Sequence, residues 1–503
     1  MENRFNLVDE PWIPVADHGR QSLRSIFSDP SCRALGGSPV EKAALLKLLQ
    51  SIAQAAATPV SEEDWAQTDV ETFSERVLAY LDRWKDRFDL YGERPFLQMP
   101  EIAPARTVSF GAILPEIATG NATLITHFQV ERDLTDAEKA VALVALMGFS
   151  FAGKKTDNTV VLTKGYAGKR NDKGKPSSGR PGPSTGHMGF LHNFLLGENL
   201  RETLWLNTLS EEAVREERIF PAGVGSPPWE CMPSGEDCPV ARSLRESLHG
   251  RLVPLSRFCL LADTGLHYSE GIAHDGYKDG KFDPSVAINR SGKEFKALWV
   301  NPQKRPWREV TALLAFVGGD NAYGFDSIQV RRVLPRVAMR LSSFSIWSGG
   351  LRVSSNAGEQ YVSGDNDAVE SEIRLDSSYI GELWWDRLKS EMESLDGLSR
   401  TLYACVAGYF ASMSMARKQA AGKRADQATQ AFWHQCEQEF PSMVEHSQGG
   451  EDHERERSRL RKRLAARVYA IYDRFCPRST ARQQESWAAN RPSLSKYIGK
   501  EAA

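Results

Sequence analysis

The sequence predicts an α+β protein in which a large mixed N-terminal domain, residues 1–375, precedes a C-terminal four-helix bundle, residues 376–503. Three observations support this prediction. The 503 residues exceed what one compact core usually holds. From about residue 196 to residue 375, short apolar runs alternate with Gly, Asp and Pro turns, which is typical of strands and loops. After residue 376 the chain is rich in Ala, Leu, Arg and Glu at helical spacing.

The first segment, FNLVDEPWIPV at residues 5–15, is predicted to be a short extended anchor buried in the core. Its apolar residues suit docking on other elements. Pro11 and Pro14 exclude a helix interior and confine any strand to the edge of a sheet. The segment is too short to cross a membrane.

Helices are predicted next at residues 40–56 and 71–91, from leucine and alanine at helical spacing. Thr135 and Glu138 form a capping-box pattern, which predicts a helix that runs to Gly148. The helices predicted for the bundle, separated by Gly, Pro and Gly-Gly breaks, span residues 382–393, 399–419, 425–439 and 451–475.

Composition indicates an ordinary intracellular protein rather than a membrane or secreted one. The net charge is −2, and no apolar run approaches the roughly 20 residues that a membrane-spanning helix needs. The N-terminus shows no secretion signal, so a cytoplasmic location is expected. The seven cysteines are scattered without a C-x-x-C pair, which argues against a disulfide framework and against a standard zinc site.

One stretch, residues 148–155, matches the phosphate-binding pattern G-x-x-x-x-G-K, but the context argues against a nucleotide site. Lys155 stands where a Ser or Thr should hold Mg²⁺. A phosphate-binding loop also needs a helix after it, whereas here a helix precedes it and the β-favouring residues 159–162 follow. Gly148 and Gly153 are therefore interpreted as helix-end residues.

No catalytic motif emerges elsewhere, so no enzymatic activity, metal or cofactor is expected. His274, Asp275, Asp279 and Asp283 are residue types that can ligate a metal. However, the glycines and the proline between them favour turns, which is the interpretation adopted.

Two basic segments stand out in a chain of nearly neutral charge. Residues 164–180 contain six basic residues and one acid, interleaved with glycines. Residues 455–467 contain seven basic residues and one acid along predicted helical turns. Each segment alone is also explained by a solvated loop or a solvated helix face. Together they make a polyanion a plausible partner.

The opening segment, N-L-V-D-E-P-W-I-P-V, resembles the start of the CasA family, the large subunits of the type I-E CRISPR surveillance complex (Cascade). Further segments resemble the family in the same order along nearly the whole chain. They are ERPFLQ at residues 93–98, NLRETLWLNTL at 199–209, WSGGLR at 347–352 and FW at 432–433.

The resemblance implies a DNA-binding subunit without catalytic activity. Such a subunit recognises the protospacer-adjacent motif (PAM) of double-stranded DNA through the minor groove, helps to open the duplex for the R-loop and recruits the helicase-nuclease effector. The implied partners are the CRISPR guide RNA, the target DNA, and the backbone, small, handle-binding and RNA-processing subunits of Cascade. The alternative from the residues alone is a structural scaffold of a ribonucleoprotein without direct DNA recognition.

The resemblance also implies roles for particular residues. Gly174 would present its backbone to the PAM, Lys281 would enter the minor groove with Lys278 second, and Asn356 would be the tip of a wedge between Ser355 and Ala357. Gln360 is the next candidate for the wedge. The loop against the guide-RNA handle would comprise Ile125, Thr126, His127 and Phe128. The DNA phosphates would be contacted by Lys169, Arg170, Lys173, Lys175, Arg461 and Lys462.

This chain also departs from the family pattern. Its wedge residue is Asn instead of Gln, and the cysteine pairs that bind zinc in some members are missing.

Overall fold

The computed structural model describes residues 5–115, 133–153, 155–177, 180–318, 324–356, 359–363, 367–413 and 418–498. The chain divides into two compact units. Unit 1 comprises Met1–Pro306 and Ala322–Glu372, and unit 2 comprises Trp307–Asn321 and Ile373–Ala503. Unit 2 thus includes a segment that begins at Trp307, which the sequence analysis assigned to the N-terminal domain.

Helices occur in both units. In chain order they are α1 (Leu23–Ser28), α2 (Pro39–Ala57), α3 (Glu62–Gln67), α4 (Val70–Arg83), α5 (Asp136–Phe149), α6 (Leu200–Asn207), α7 (Glu211–Glu216), α8 (Pro239–Arg245), α9 (Leu248–Leu252), α10 (Val310–Leu313), α11 (Ile328–Arg340), α12 (Glu382–Ser412), α13 (Lys418–His446), α14 (Glu451–Phe475), α15 (Ala481–Ala489) and α16 (Ser495–Ile498). None of these helices is both long enough and apolar enough to cross a bilayer.

The strands are short and mostly antiparallel. In chain order they are β1 (Ile13–Val15), β2 (Gly19–Gln21), β3 (Thr107–Val108), β4 (His192–Leu196), β5 (Arg257–Ala262), β6 (Gly265–Glu270), β7 (Ile288–Asn289), β8 (Lys296–Ala297), β9 (Ser343–Leu351), β10 (Ser354–Asn356), β11 (Glu359–Tyr361) and β12 (Ala368–Asp376). They form sheets in the orders β12-β9-β4 and β3-β6-β5, with β1-β2, β7-β8 and β10-β11 as separate pairs.

The predicted burial of the N-terminal anchor is confirmed, but residues 7–10 form a turn, in which the N–H of Glu10 donates to the carbonyl of Asn6 at 2.9 Å, instead of an extended segment. Trp12 is fully buried, and its Nε1 donates a hydrogen bond to the carbonyl of Leu7 at 2.9 Å. Ile13–Val15 forms β1, which pairs with the short strand β2 on one side and with Leu35 through a single bridge on the other. Pro14 is tolerated there because it lacks only an N–H, and its carbonyl still accepts a hydrogen bond from the N–H of Gly36 at 2.9 Å.

Helix α5 begins at the predicted capping box. The side chain of Thr135 accepts a hydrogen bond from the N–H of Glu138, and the Glu138 carboxylate accepts one from the N–H of Thr135. These two bonds satisfy backbone donors that the first helical turn leaves without a partner. The helix ends at Phe149, so the predicted role of Gly148 near a helix end is confirmed.

Helix α2 begins with a second capping box and with Pro39 in its first turn. It runs through the core of unit 1, and it packs on α5 and on β9. Most of its residues are buried, including the polar side chains of Lys47, Gln50 and Gln54.

Unit 2 is predominantly helical, and a helical C-terminal region is confirmed. Helix α14 has the predicted bounds, but α12 continues through Gly397 and α13 continues through Gly422 and Pro441, where breaks were predicted. A glycine inside a helix costs about 1 kcal/mol relative to alanine. Burial of the leucines beside Gly397 offsets that cost, because Leu395, Leu398 and Leu402 are all 3% exposed or less. The described bundle thus consists of α12, α13 and α14, with the shorter α15 against α12.

Candidate nucleic-acid interface

The predicted glycine-rich basic segment forms a tight hairpin, Lys169–Ser177, which we call the basic hairpin. Arg170 and Pro176 pair across it, and the Asn171 side chain accepts hydrogen bonds from the N–H groups of Lys173 and Lys175 at 3.0 and 3.1 Å. Gly174 is exposed and has a φ of +73°, and no heavy atom lies within 4 Å of where its Cβ would be. The left-handed backbone explains the glycine, and the open space leaves its backbone accessible.

Lys169 does not lie on this surface, so its predicted contact with DNA phosphates is wrong. It is 1% exposed, and its Nζ lies 2.7 Å from the Oε1 atom of the buried Glu236. The ammonium also donates to the carbonyl of Val160 and to the hydroxyl of Ser269, both at 2.9 Å. Lys169 therefore fixes the base of the basic hairpin to the core.

Glu236 completes this buried ion pair from the other side. Its carboxylate accepts hydrogen bonds from the N–H groups of Leu162 and Thr163 at 3.1 and 2.7 Å. Burial alone would raise the pKa of Glu236, but Lys169 and these backbone donors hold the pKa below its usual range. The same contacts explain why residues 159–162, although β-favouring, form no strand in the described structure.

The exposed cations of the basic hairpin are Arg170, Lys173 and Lys175. The guanidinium of Arg170 donates to the carbonyl of Gly174 at 3.2 Å, which braces the hairpin tip. Exposed cations around an accessible glycine backbone form a surface suited to phosphate contacts.

The second predicted element, around Lys278 and Lys281, is a turn. Tyr277–Asp279 forms a single 3-10 turn, and Gly280 follows it with a φ of +78°. No group of three or more potential metal ligands lies together in the described part of the chain. Lys278 is exposed at this turn.

Lys281 is not a free cation in this structure. Its Nζ forms an ion pair with Glu246 and lies 3.6 Å from the Oδ2 atom of Asp275, and its side chain is 22% exposed. An incoming phosphate or base would have to replace these carboxylates as the partner of Lys281.

The predicted wedge lies on a third element, the hairpin of β10 and β11. Asn356 pairs with Glu359, the pair closest along the chain to the connection between the two strands, and both Ser355 and Asn356 are exposed. Ala357 lies outside the described residues, as do the predicted handle-loop residues Ile125, Thr126, His127 and Phe128.

Gln360, the second candidate for the wedge, is excluded by its burial. It is 4% exposed, its Oε1 accepts from the N–H of Ala152 at 3.0 Å, and its Nε2 donates to the carbonyl of Gly186 at 2.9 Å. Gln360 therefore anchors the β10–β11 hairpin, and Asn356 is left as the exposed candidate.

One segment, Gly186–Gly189, connects the second and third elements. The β10–β11 hairpin rests on it through Gln360 and through Val353, whose N–H donates to the carbonyl of Met188 at 2.9 Å. Residues at the start of the same segment line a cavity of about 500 Å³ that Lys278 and Lys281 also line. The Lys281 turn thus shares a cavity with the start of the segment on which the Asn356 hairpin rests.

The basic helix α14 contributes less than its sequence predicted. Arg461 is paired with Glu391, and the two side chains are only 15% and 4% exposed, so in this structure its guanidinium bridges α14 and α12, and its contact with DNA stays a prediction. Arg463 and Arg467 both pair with Glu439 on α13. Lys462 remains exposed. Much of the positive charge of α14 therefore serves to hold the bundle together.

Known proteins resemble this chain over most of its length. Residues 6–471 match the sequence model of the family described as CRISPR-associated protein Cse1. A curated relative, the CRISPR-associated protein CasA/Cse1 of Thermus thermophilus, is 28% identical over 341 residues, which are 63% of this chain and 61% of that relative. The chain therefore spans less than two thirds of that relative's length.

Solved structures share the fold. A crystal structure of CasA from Thermus thermophilus superposes with a TM-score of 0.74 at 19% identity, over 99% of this chain and 100% of that chain. A structure described as a CRISPR RNA-guided surveillance complex contains a chain that superposes with a TM-score of 0.65 at 17% identity, over 98% of this chain and 99% of that chain.

Proposed function

Because the chain belongs to the Cse1/CasA family of CRISPR-associated proteins, we propose that it is the non-catalytic large subunit of a type I-E CRISPR surveillance complex. In this role it recognises the PAM of double-stranded DNA through the minor groove, helps to open the duplex and recruits the helicase-nuclease. Its partners are the guide RNA, the target DNA and the other Cascade subunits. The similarity to a chain of an RNA-guided surveillance complex supports this assembly.

The observation that carries the DNA-binding part of the proposal is the grouping of Lys278, Lys281 and the exposed Asn356 around Gly186–Gly189. A cation and an exposed hairpin residue that are linked through one segment suit two linked tasks. Lys281 contacts acceptors and phosphates in the minor groove, while Asn356 occupies the space of the first base pair beside the PAM. A scaffold without DNA recognition would need neither a lysine-lined cavity nor an exposed Asn356 linked to it through Gly186.

The first test is the substitution Lys281→Ala in the assembled complex, measured against a library of PAM sequences. Loss of one minor-groove lysine should weaken PAM-dependent binding by about 1–3 kcal/mol while assembly stays intact. Lys293→Ala is the matched control, because Lys293 is exposed but does not line the Lys281 cavity. Equal losses on targets with and without a PAM would mean that Lys281 is a general phosphate contact.

The ion pair of Lys281 makes a second, opposite prediction. If DNA replaces Glu246 as the partner of Lys281, then Glu246→Gln removes this competitor, leaves only the more distant Asp275 at 3.6 Å from the ammonium among the ion-pair partners described, and should strengthen binding to PAM targets. Both side chains are partly exposed, so the expected gain is at most about 1 kcal/mol. Weaker binding by Glu246→Gln would instead mean that the pair holds Lys281 in its DNA-binding position.

The wedge is tested by the rate of R-loop formation. Asn356→Ala should slow opening of a fully paired target, since unstacking one step costs roughly a few kcal/mol. It should have little effect on a target that is already mismatched at the first protospacer positions. Equal slowing on both targets would exclude the wedge role, because it would show that Asn356 does not act on strand separation.

The absence of catalytic activity is tested on the purified subunit. The purified subunit should not hydrolyse DNA, RNA or nucleoside triphosphates. Turnover that persists through purification and disappears in a Gly153 or Lys154 variant would contradict the proposal.

A further inference from the structure

The cavity beside Lys281 has the size of a small-molecule site. Its volume is about 500 Å³, within the roughly 300–1,000 Å³ typical of ligand pockets. One wall is formed by residues of the segment Arg180–His187 and another by residues of the turn His274–Asp283, and Phe190, Val286 and Trp299 complete the lining. All of these residues belong to unit 1.

Aromatic rings form the apolar part of this cavity. Phe190 and Trp299 stack with their ring centroids 4.6 Å apart and their planes 14° from parallel. The ring of Tyr277 stands nearly perpendicular to both, with its centroid 5.7 Å from each. Tyr277 and Trp299 are only half-buried, so the described structure leaves part of their surface available to a ligand.

Gly186 keeps this aromatic group in place. A Cβ at this position would lie 2.7 Å from Cζ of Phe190 and 2.8 Å from Cζ3 of Trp299, closer than carbon atoms approach in proteins. Only glycine therefore allows the chain to pass against the stacked rings, and the same glycine carbonyl anchors Gln360 of the β10–β11 hairpin.

A buried polar atom accompanies the rings. His274 lines the cavity and is 4% exposed, and its Nε2 donates to the carbonyl of Pro254 at 2.7 Å. Burial lowers the pKa of His274 to about 3, so the ring is neutral and Nδ1 is an acceptor. Nδ1 has no hydrogen-bond partner among the described residues. An acceptor that is buried without a partner is costly, but Nδ1 is enclosed within the cavity wall, so the aromatic rings are the surface that a ligand meets.

The charges around the cavity favour a neutral base over a phosphate as the group bound inside it. Arg180, Lys278 and Lys281 line it, but Asp275 and Asp279 line it too. The carboxylate of Asp283 is neutralised by an ion pair with the buried Lys47. This balance disfavours a phosphate deep in the cavity. It suits a neutral ring inside and a phosphate held by the lysines on the outside.

From this geometry we infer that the cavity receives one unstacked nucleobase of the target DNA, which stacks on the partly exposed rings of Tyr277 and Trp299. Aromatic rings bind bases of unpaired strands in this way without strong sequence preference. The inference rests on the proposed function. A hairpin that opens the duplex beside Gly186 releases an unpaired base at the rim of the cavity.

The experiment places 2-aminopurine in turn at each of the first unpaired positions of both DNA strands in the assembled complex. An unpaired 2-aminopurine fluoresces in water and is quenched when it stacks on an aromatic ring. One position should be unpaired yet quenched in the wild type. It should become bright with Tyr277→Ala and stay quenched with Tyr277→Phe, which retains the ring.

An abasic nucleotide at the same position gives an independent measure. Base–aromatic stacking contributes about 1–3 kcal/mol, so the abasic target should bind about five- to 150-fold more weakly. Tyr277→Ala should cause a loss on the normal target and almost none on the abasic target, because the base that it contacts is already missing.

Each result decides the inference. If no unpaired position is quenched in the wild type, or if Tyr277→Ala weakens normal and abasic targets equally, the inference is overturned while PAM-dependent binding persists. Quenching of free 2-aminopurine riboside in the absence of DNA, competed by adenosine monophosphate, would identify a free-nucleotide site and also overturn it. Loss of PAM dependence in the wild-type complex would instead refute the proposed function.

Discussion

Replacing Lys169 by alanine tests whether this lysine has a structural role or contacts DNA. The Lys169 side chain is 1% exposed and that of Glu236 is 0% exposed, and 2.7 Å separates their charged atoms. Lys169→Ala leaves the Glu236 carboxylate in the core with only two backbone donors, from Leu162 and Thr163. Removing one partner of a buried ion pair typically destabilises a protein by about 3–5 kcal/mol.

The assay is urea unfolding of the purified chain, followed by tryptophan fluorescence, together with the salt dependence of DNA binding by the assembled complex. Lys173→Ala is the matched control, because Lys173 is exposed in the same hairpin. It should change the free energy of unfolding by no more than about 0.5 kcal/mol. A surface lysine that contacts a phosphate should lower the salt slope of binding by about 0.9 when it is removed.

A double variant sharpens this assignment. Lys169→Met combined with Glu236→Gln removes both charges, so it should be more stable than Lys169→Met alone. The reasoning is refuted if Lys169→Ala costs less than about 1 kcal/mol of stability while it lowers the salt slope as Lys173→Ala does.

Three further predictions concern stability. Arg461→Met leaves Glu391 without its partner and should destabilise the chain by about 1–3 kcal/mol, whereas Lys462→Ala should stay within about 0.5 kcal/mol in the same urea assay. Gly189→Ala places a Cβ 1.9 Å from the carbonyl oxygen of Leu351, at a position where φ is +78°. It should therefore be much more destabilising than Gly223→Ala, because Gly223 has a similar φ of +65° but open space where its Cβ would lie. Equal melting temperatures of the two variants would contradict this. Burial lowers the pKa of His192, His249 and His274 to about 4, 3 and 3, so below pH 6.5 the unfolded chain binds more protons than the folded chain. The free energy of unfolding should therefore fall as the pH drops from 6.5 towards 4. A flat profile in urea titrations at several pH values would refute this for these three histidines.

Local patterns in the sequence determined much of the fold. The capping box at Thr135, the bounds of α14 and the burial of Trp12 all follow from side chains a few residues apart. Such features depend on helical periodicity, on backbone donors at a helix start and on apolar burial. These effects act locally, so a single sequence is enough to predict them.

The interruption of helices was less predictable. Gly397, Gly422 and Pro441 are helix breakers by intrinsic propensity, yet α12 and α13 pass through them. A residue of low helix propensity destabilises the helix by a fixed free energy at one position. Packing of a long helix in a bundle stabilises it along its whole buried face. Only the tertiary structure decides which of the two is larger.

The same holds for the candidate site. Lys169 and Lys173 are the same residue type in one short basic segment, but Lys169 is buried against Glu236 and Lys173 is exposed. Lys169 pairs with Glu236 and Lys281 pairs with Glu246, and the two members of each pair lie tens of residues apart in the sequence. No sequence motif connects them. Charge composition determined only that the chain has clustered cations. The fold decided which of them are buried in ion pairs and which are exposed, because burial and pairing depend on residues that only folding brings together.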